Sequence, residues 1–253
     1  MTADPAGGPD LSVVLMTYNE AESLAGTVAE LRAVFEQLEA RCELLIVDDG
    51  STDGSAALAD QLAARCPGSR VIHHGSNLGL GGVYRTGFAE ARGTFLSFFP
   101  ADGQFPAGIL VDFFSLAEHA DLVLGYLPRS RWNLAAQVLS LAERVLYRVL
   151  LGPMPRFQGV FMLRRSLLEA LGLATTGRGW GILMEMILRT GDGGFRIIER
   201  PTGYRPRRAG RSKVTNPRVA LENLRQLFVV RRLLRKPQRA LRQAASSESV
   251  RNP

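Results

Sequence analysis

Short apolar runs alternating with segments of helical spacing dominate the first half of the chain. Ser12–Met16, Glu43–Val47, Arg70–His73, Thr94–Phe99 and Asp121–Gly125 are apolar, strand-length runs. Between the first two, Glu20–Leu38 sets Leu24, Val28, Leu31, Phe35 and Leu38 on one helical stripe. A second helix runs from a cap at Ser51 or Asp53 to about Arg65, and two more cover Gly82–Ala91 and Ala107–Glu118. Strands alternating with helices in this way form βαβ units. They predict an α/β fold with a mostly parallel sheet covered by helices on both faces. In such sheets ligands bind beyond the carboxyl ends of the strands. Function is therefore sought just after Met16, Val47 and Phe99.

The second half has a different texture. Trp132–Leu151 reads as one helix, with Leu134, Val138, Leu141, Val145 and Val149 along one face. Phe157–Arg164 reads as a strand, Gly181–Arg189 as a helix and Phe195–Glu199 as a strand. The loop Arg205–Lys213 follows, then a basic amphipathic helix over Asn216–Lys236 with Leu224, Leu227, Phe228 and Leu234 as its apolar positions. From Pro237 the chain turns polar. The chain shows no internal repeat and no domain linker.

Charge divides the chain in the same place. Residues 1–125 hold 6 Lys and Arg against 17 Asp and Glu, whereas residues 126–253 hold 25 against 7. The crowding of arginine into one half suggests a second working surface that meets phosphate, whether of a lipid, an acceptor or a nucleic acid. No run reaches the ~18 uninterrupted apolar residues of a spanning helix. Met1–Asp10 lacks the basic and apolar regions of a signal peptide. Cys42 and Cys66 make no CxxC pair, so the cytosol is the expected compartment.

Three strand ends carry chemistry-bearing residues. They read Thr17-Tyr18-Asn19-Glu20, then Asp48-Asp49-Gly50-Ser51-Thr52-Asp53, then Pro100-Ala101-Asp102-Gly103-Gln104. Any one of them is an ordinary turn. Carboxylates gathered at one sheet edge, however, are costly unless hydrogen-bond donors or a cation meet them. A ribose diol, a base N–H and a divalent ion carrying a diphosphate would all do so. Other signals fall away. Tyr84 stands where a dinucleotide fingerprint needs its third glycine, His73-His74 and His119 have no partners spaced for zinc, and no aromatic-interleaved motif supports nucleic-acid binding.

The strings SVVLMTYNEAESL, ELLIVDDGSTDGS, NLGLGGVYRTGFAEARG and ADGQFP resemble the family 2 glycosyltransferases of the GT-A fold. Within that family the chain is most similar to the dolichol-phosphate and polyprenyl-phosphate mannosyl- and glucosyltransferases. The resemblance runs from about Leu11 to Val214 and includes Glu185, Glu199-Arg-Pro201 and an R-x-x-G-x-S-K signature at Arg207–Lys213. It implies a GT-A-like domain over 11–214, to which the residue pattern adds a basic helix over 215–236 and flexible ends at 1–10 and 237–253. Thr17, Tyr18, Glu20, Asp48 and Asp49 would bind the nucleotide, with Asp102 and Gln104 at its diphosphate and at a Mg²⁺ or Mn²⁺ ion. Arg207, Ser212 and Lys213 would bind donor diphosphate or acceptor phosphate, and Asp102, Gln104 and Arg207 would form the catalytic set.

The implied reaction is inverting transfer of a hexose from a nucleotide sugar, of the GDP-mannose or UDP-glucose type, to a polyprenyl phosphate. The expected setting is the cytoplasmic membrane face, with peripheral contact to anionic lipid. Two departures stand out: Pro100 replaces the first Asp of the family's metal motif, and Pro155 and Gln158-Gly159-Val160 replace an Asp and an SGF-type string. They keep open a nucleotide-sugar-binding homologue with weak or lost turnover, and the lack of a membrane-spanning run keeps open an enzyme acting on a non-lipid acceptor.

Overall fold

The computed structural model of the chain describes residues 7–128, 145, 147–206 and 217–235. Its first half runs β1 (Leu11–Thr17), α1 (Ala21–Gln37), β2 (Cys42–Asp48), α2 (Ser55–Ala64), β3 (Ser69–His73), α3 (Gly79–Glu90), β4 (Phe95–Pro100), α4 (Ile109–Ala117) and β5 (Leu122–Tyr126). The second half adds β6 (Phe161–Arg164), α5 (Arg165–Leu171), α6 (Gly181–Asp192), β7 (Ile197–Pro201) and α7 (Pro217–Leu234). The strands form one sheet in the order β3-β2-β1-β4-β6-β5-β7. All neighbours are parallel except β6, which runs antiparallel to both β4 and β5. The mostly parallel sheet expected from the strand–helix alternation is present.

Alternation along β1 feeds a core on each face. Leu11, Val13 and Leu15 pack with Leu24, Val28 and Leu31 of α1 and with Leu110 and Phe113 of α4. Val14 joins the opposite cluster with Val83 and Tyr84 of α3 and with Ile182, Met186 and Ile187 of α6. Helix α3 lies so close to β4 that a Cβ at Gly87 would stand 2.5 Å from the Phe98 ring, so glycine alone fits there.

Several boundaries differ from expectation for identifiable reasons. The strand expected over Phe157–Arg164 begins only at Phe161. Gly159 before it has φ 98° and breaks the regular pairing, since Gly125 on β5 donates to Val160 O at 2.9 Å but accepts from Gln158 N–H at 2.7 Å, on either side of that glycine. Helix α2 starts at Ser55 after Gly54 with φ 90°, so neither Ser51 nor Asp53 occupies the cap position. Asp53 still accepts from the Ser55 N–H at 3.0 Å, while Ser51 Oγ serves the neighbouring turn by accepting from Asn19 N–H at 2.9 Å. Helix α5 is additional to the expected elements; Leu167 and Leu171 are its buried positions and Gly172, at φ 56°, ends it. Of the long helix expected over Trp132–Leu151, residues 145 and 147–151 are described and helical, and its apolar-stripe members Val145 and Val149 are exposed. The tail after Arg235 lies outside the described residues.

A buried ion pair organises the second half. Glu185, fully buried on α6, accepts from Arg189 Nε at 2.8 Å and from Thr175 N–H and Oγ1 at 2.8 and 2.6 Å. Arg189 also donates to Leu233 O on α7 at 3.3 Å, and Gln226 Oε1 on α7 accepts from Gly181 N–H at 2.9 Å. Replacing Arg189 with Met would leave the Glu185 charge buried without its partner. Such a loss costs about 3–5 kcal/mol, which urea denaturation of Arg189→Met should show.

Candidate active site

Strand register brings the three motif-bearing turns to one edge. β1 lies between β2 and β4, with Thr17 opposite Asp48 and Met16 opposite Pro100. The ladder continues past the strand ends, where Asp49 N–H donates to Thr17 O at 2.9 Å and Ala101 N–H to Met16 O at 3.0 Å. Thr17, Tyr18, Glu20, Asp48, Asp49, Asp102 and Gln104 thus stand on neighbouring turns at the carboxyl edge. Arg207, Ser212 and Lys213 lie outside the described residues. The chain leading to them is tied to this edge, since Arg205 N–H donates to Gln104 O at 2.7 Å.

The first two turns are sewn together by side chains. Asn19 adopts φ 51°, a left-handed conformation that asparagine tolerates. Its Oδ1 accepts from Thr52 N–H at 2.7 Å, and Glu20 N–H donates to Ser55 Oγ at 2.9 Å. Asp53 Oδ2 accepts from Ala21 N–H, the first residue of α1, at 3.1 Å. Thr17, 1% exposed, has an Oγ1 with no partner among the described residues.

Asp48 and Asp49, expected at the nucleotide, also make bonds inside the protein. Both are almost fully buried, at 2% and 3% exposure. Asp49 accepts from Leu78 N–H at 2.8 Å and Gly79 N–H at 2.9 Å, which caps α3 from across the sheet where the helix dipole favours an anion. His74 Nδ1 stands 2.7 Å from its Oδ1, and His74 Nε2 stands 2.8 Å from Thr86 Oγ1. Asp48 takes Ser51 N–H at 3.3 Å and His73 Nδ1 at 3.1 Å, and His73 Nε2 reaches Asp60 at 3.0 Å. The two histidines set aside as zinc ligands are thus partners of the aspartates. The signal was their place at the end of the strand beside β2, with His73 in register with Asp48.

On the third turn, Asp102 Oδ1 accepts from Gln104 N–H at 3.1 Å, and Gln104 Nε2 donates to Tyr204 Oη. Among the described residues no three His, Cys, Asp or Glu side chains gather to hold an ion by themselves. Pro100 offers no ligand. One carboxylate and one amide oxygen nevertheless suit a hard cation whose other ligands are water and substrate phosphates. The residues present therefore fit a Mg²⁺ or Mn²⁺ shared with a diphosphate.

Two outcomes follow from the aspartate pairs. Asp49→Ala should destabilise the ligand-free protein by about 2 kcal/mol, because a buried cap to two N–H groups is lost; denaturant titration measures it. His73 is held above the ordinary imidazole pKa by its bonds to Asp60 and Asp48, against a smaller opposing effect of burial. A raised folded-state pKa contributes stability that is complete below the unfolded value and is lost as pH rises through the folded value. The stability gap between wild type and His73→Gln should therefore be full at and below the ordinary imidazole value of about 6.5 and shrink as pH rises above it, as denaturation across neutral pH would read.

With this geometry in view, the chain can be compared with known proteins. A family model described as Glycosyl transferase family 2 matches residues 12–172. The chain is 32% identical over 213 residues to the undecaprenyl-phosphate mannosyltransferase of Micrococcus luteus, covering 80% of this chain and 86% of that protein. It is also 32% identical over 220 residues to the polyprenol monophosphomannose synthase of Mycolicibacterium smegmatis, covering 82% of each. Among solved structures, glucosyl-3-phosphoglycerate synthase from Mycobacterium tuberculosis, crystallised with Mn²⁺ and UDP-glucose, superposes with a TM-score of 0.66 at 21% identity, covering 89% of this chain and 79% of that one. That likeness establishes the GT-A-like fold. The chain belongs to glycosyl transferase family 2 and is a glycosyltransferase.

Proposed function

We propose that the protein transfers a hexose, with inversion, from a nucleotide sugar of the GDP-mannose or UDP-glucose type to a polyprenyl phosphate. The observation that carries this reading is the shared edge of β1, β2 and β4. It places the family's donor motifs on touching turns in a chain that matches, over four fifths of its length, proteins named for mannosyl transfer to such lipids. Tyr18 and Glu20 face the nucleotide, next in the chain to Thr17, whose hydroxyl has no partner among the described residues. Asp48 and Asp49 act there mainly by shaping the turns.

In the reaction an acceptor phosphate oxygen forms a bond to the anomeric carbon as the bond from that carbon to the diphosphate breaks. The acceptor is already anionic near neutral pH, so no strong general base is required. The protein's work is alignment and neutralisation of the departing nucleoside diphosphate. Asp102 and Gln104 would hold a Mg²⁺ or Mn²⁺, which when bound supplies positive charge to the diphosphate. Arg207, Ser212 and Lys213 supply donors to the donor diphosphate or the acceptor phosphate, with arginine suited to bidentate contact.

Helix α7 suits the surface of an anionic membrane. Its outer stripe reads Arg225, Phe228, Val229 and Arg232, with Phe228 61% and Val229 48% exposed between the two arginines. Apolar side chains flanked by arginine lie well at a lipid headgroup boundary. Among the described residues no helix is long and apolar enough to cross a membrane. The contact would be peripheral, at the cytoplasmic face.

The test incubates GDP-mannose and UDP-glucose, each with Mn²⁺, with polyprenyl phosphate in anionic and in neutral vesicles. Glycolipid should form with one donor, faster on anionic vesicles, and Asp102→Asn should lower turnover at least tenfold with the apo melting temperature unchanged. Donor binding without product would favour a binding-only homologue, the alternative that Pro100 motivates. Product with only a water-soluble acceptor would replace the lipid.

A further inference from the structure

The segment between β7 and Arg207 is fastened to the turn after β4 at several points. Arg205 N–H donates to Gln104 O at 2.7 Å, and the Tyr204 hydroxyl accepts from Gln104 Nε2. The Tyr204 ring meets Phe105 edge-on, with centroids 5.6 Å apart at 77°. Gly203 approaches Pro106 so closely that an added Cβ would stand 3.2 Å from its Cγ. From α1, the Glu30 carboxylate takes Arg205 Nη1 on both oxygens, at 2.8 and 3.0 Å. Tyr204 is half-exposed, so its ring adds little to the core. What it does hold is the side chain of Gln104.

A glutamine amide can present its oxygen or its NH₂ to a ligand, and only the oxygen suits a cation. With Nε2 given to Tyr204, Oε1 is the end left for an ion. The reverse orientation would turn two N–H groups toward the cation. We propose that Tyr204 is a positioning residue for Gln104. Its hydroxyl, steadied by Phe105 and by the Glu30–Arg205 pair, holds the Gln104 carbonyl ready for the ion and diphosphate beside Asp102. The inference rests on the donor-site reading above. The same contacts link the turn after β4 to Arg205.

The experiment titrates GDP and UDP calorimetrically into wild type, Tyr204→Phe, Gln104→Ala and the double variant, each with Mn²⁺ and with EDTA. It follows whichever nucleotide wild type binds more tightly. The readout is the ratio of affinity with Mn²⁺ to affinity with EDTA. Phenylalanine keeps the ring on Phe105 and removes only the hydroxyl. The ratio should fall about fivefold in Tyr204→Phe, the magnitude of one lost hydrogen bond. Affinity in EDTA and the apo melting temperature should not move, and adding Tyr204→Phe to Gln104→Ala should lower the ratio no further.

An unchanged ratio in Tyr204→Phe overturns the proposal, as does a further fall in the double variant. A loss equal in both arms shows a packing effect and overturns it too. If wild type binds a nucleotide without help from Mn²⁺, the donor site stands and the role of Tyr204 falls. If wild type binds neither nucleotide, the donor-site reading fails and takes this proposal with it.

Discussion

The architecture of the donor edge hangs on where the Asp49 carboxylate goes. It is buried at the end of β2, and it is tolerated there because two N–H groups at the start of α3 and the His74 ring meet it. That cap fixes the start of α3 against the central strands. Helix α3 in turn holds the glycine-rich approach to α6, with Gly81 N–H donating to Arg178 O at 2.8 Å and Arg85 Nη1 to Gly177 O at 2.9 Å. The buried Glu185–Arg189 pair then carries the order on to α7. Asp49 thus has a structural part in the fold, and its carboxylate ties the end of β2 to the start of α3.

The strand–helix alternation and the places where turns meet were legible in the sequence because both follow from local pattern. Apolar period and strand length identify β1 to β5, and parallel strands joined by helices must put their carboxyl ends on one edge. What was not legible is set by distant contacts. Nothing local distinguishes a carboxylate offered to a ligand from one capping a helix some 30 residues later, as Asp49 does. Nor does local pattern reveal that Glu30 on α1 will meet Arg205, 175 residues away. The shortened β6 shows the same limit, since Gly159 at positive φ serves its close fit to Phe105 rather than strand propensity.

The second half of the chain follows another logic. β6 enters between β4 and β5 in the opposite direction, so the β5 end and the loop after β7 approach the edge from the far side of the turn after β4. On that side Glu199 accepts from Arg156 N–H at 2.9 Å and Nε at 2.6 Å, and the Arg156 guanidinium lies 4.0 Å over the Tyr126 ring. Pro155 stands next to this clamp, where the family's acidic residue was expected. The departure from the family pattern therefore falls beside an exposed ion pair, away from the core.

Charge completes the argument. The acidic half of the chain does not present its carboxylates freely at the donor edge, for Asp48, Asp49 and Asp53 are all taken by backbone donors, hydroxyls or histidines. Arginine is in excess in the other half of the chain, and there Arg205 is held by Glu30. A site for two phosphate-bearing substrates needs its negative groups used up and its positive groups placed. Along this edge the carboxylates of Asp48, Asp49 and Asp53 are bonded within the turns, while the turn that carries Asp102 and Gln104 anchors Arg205.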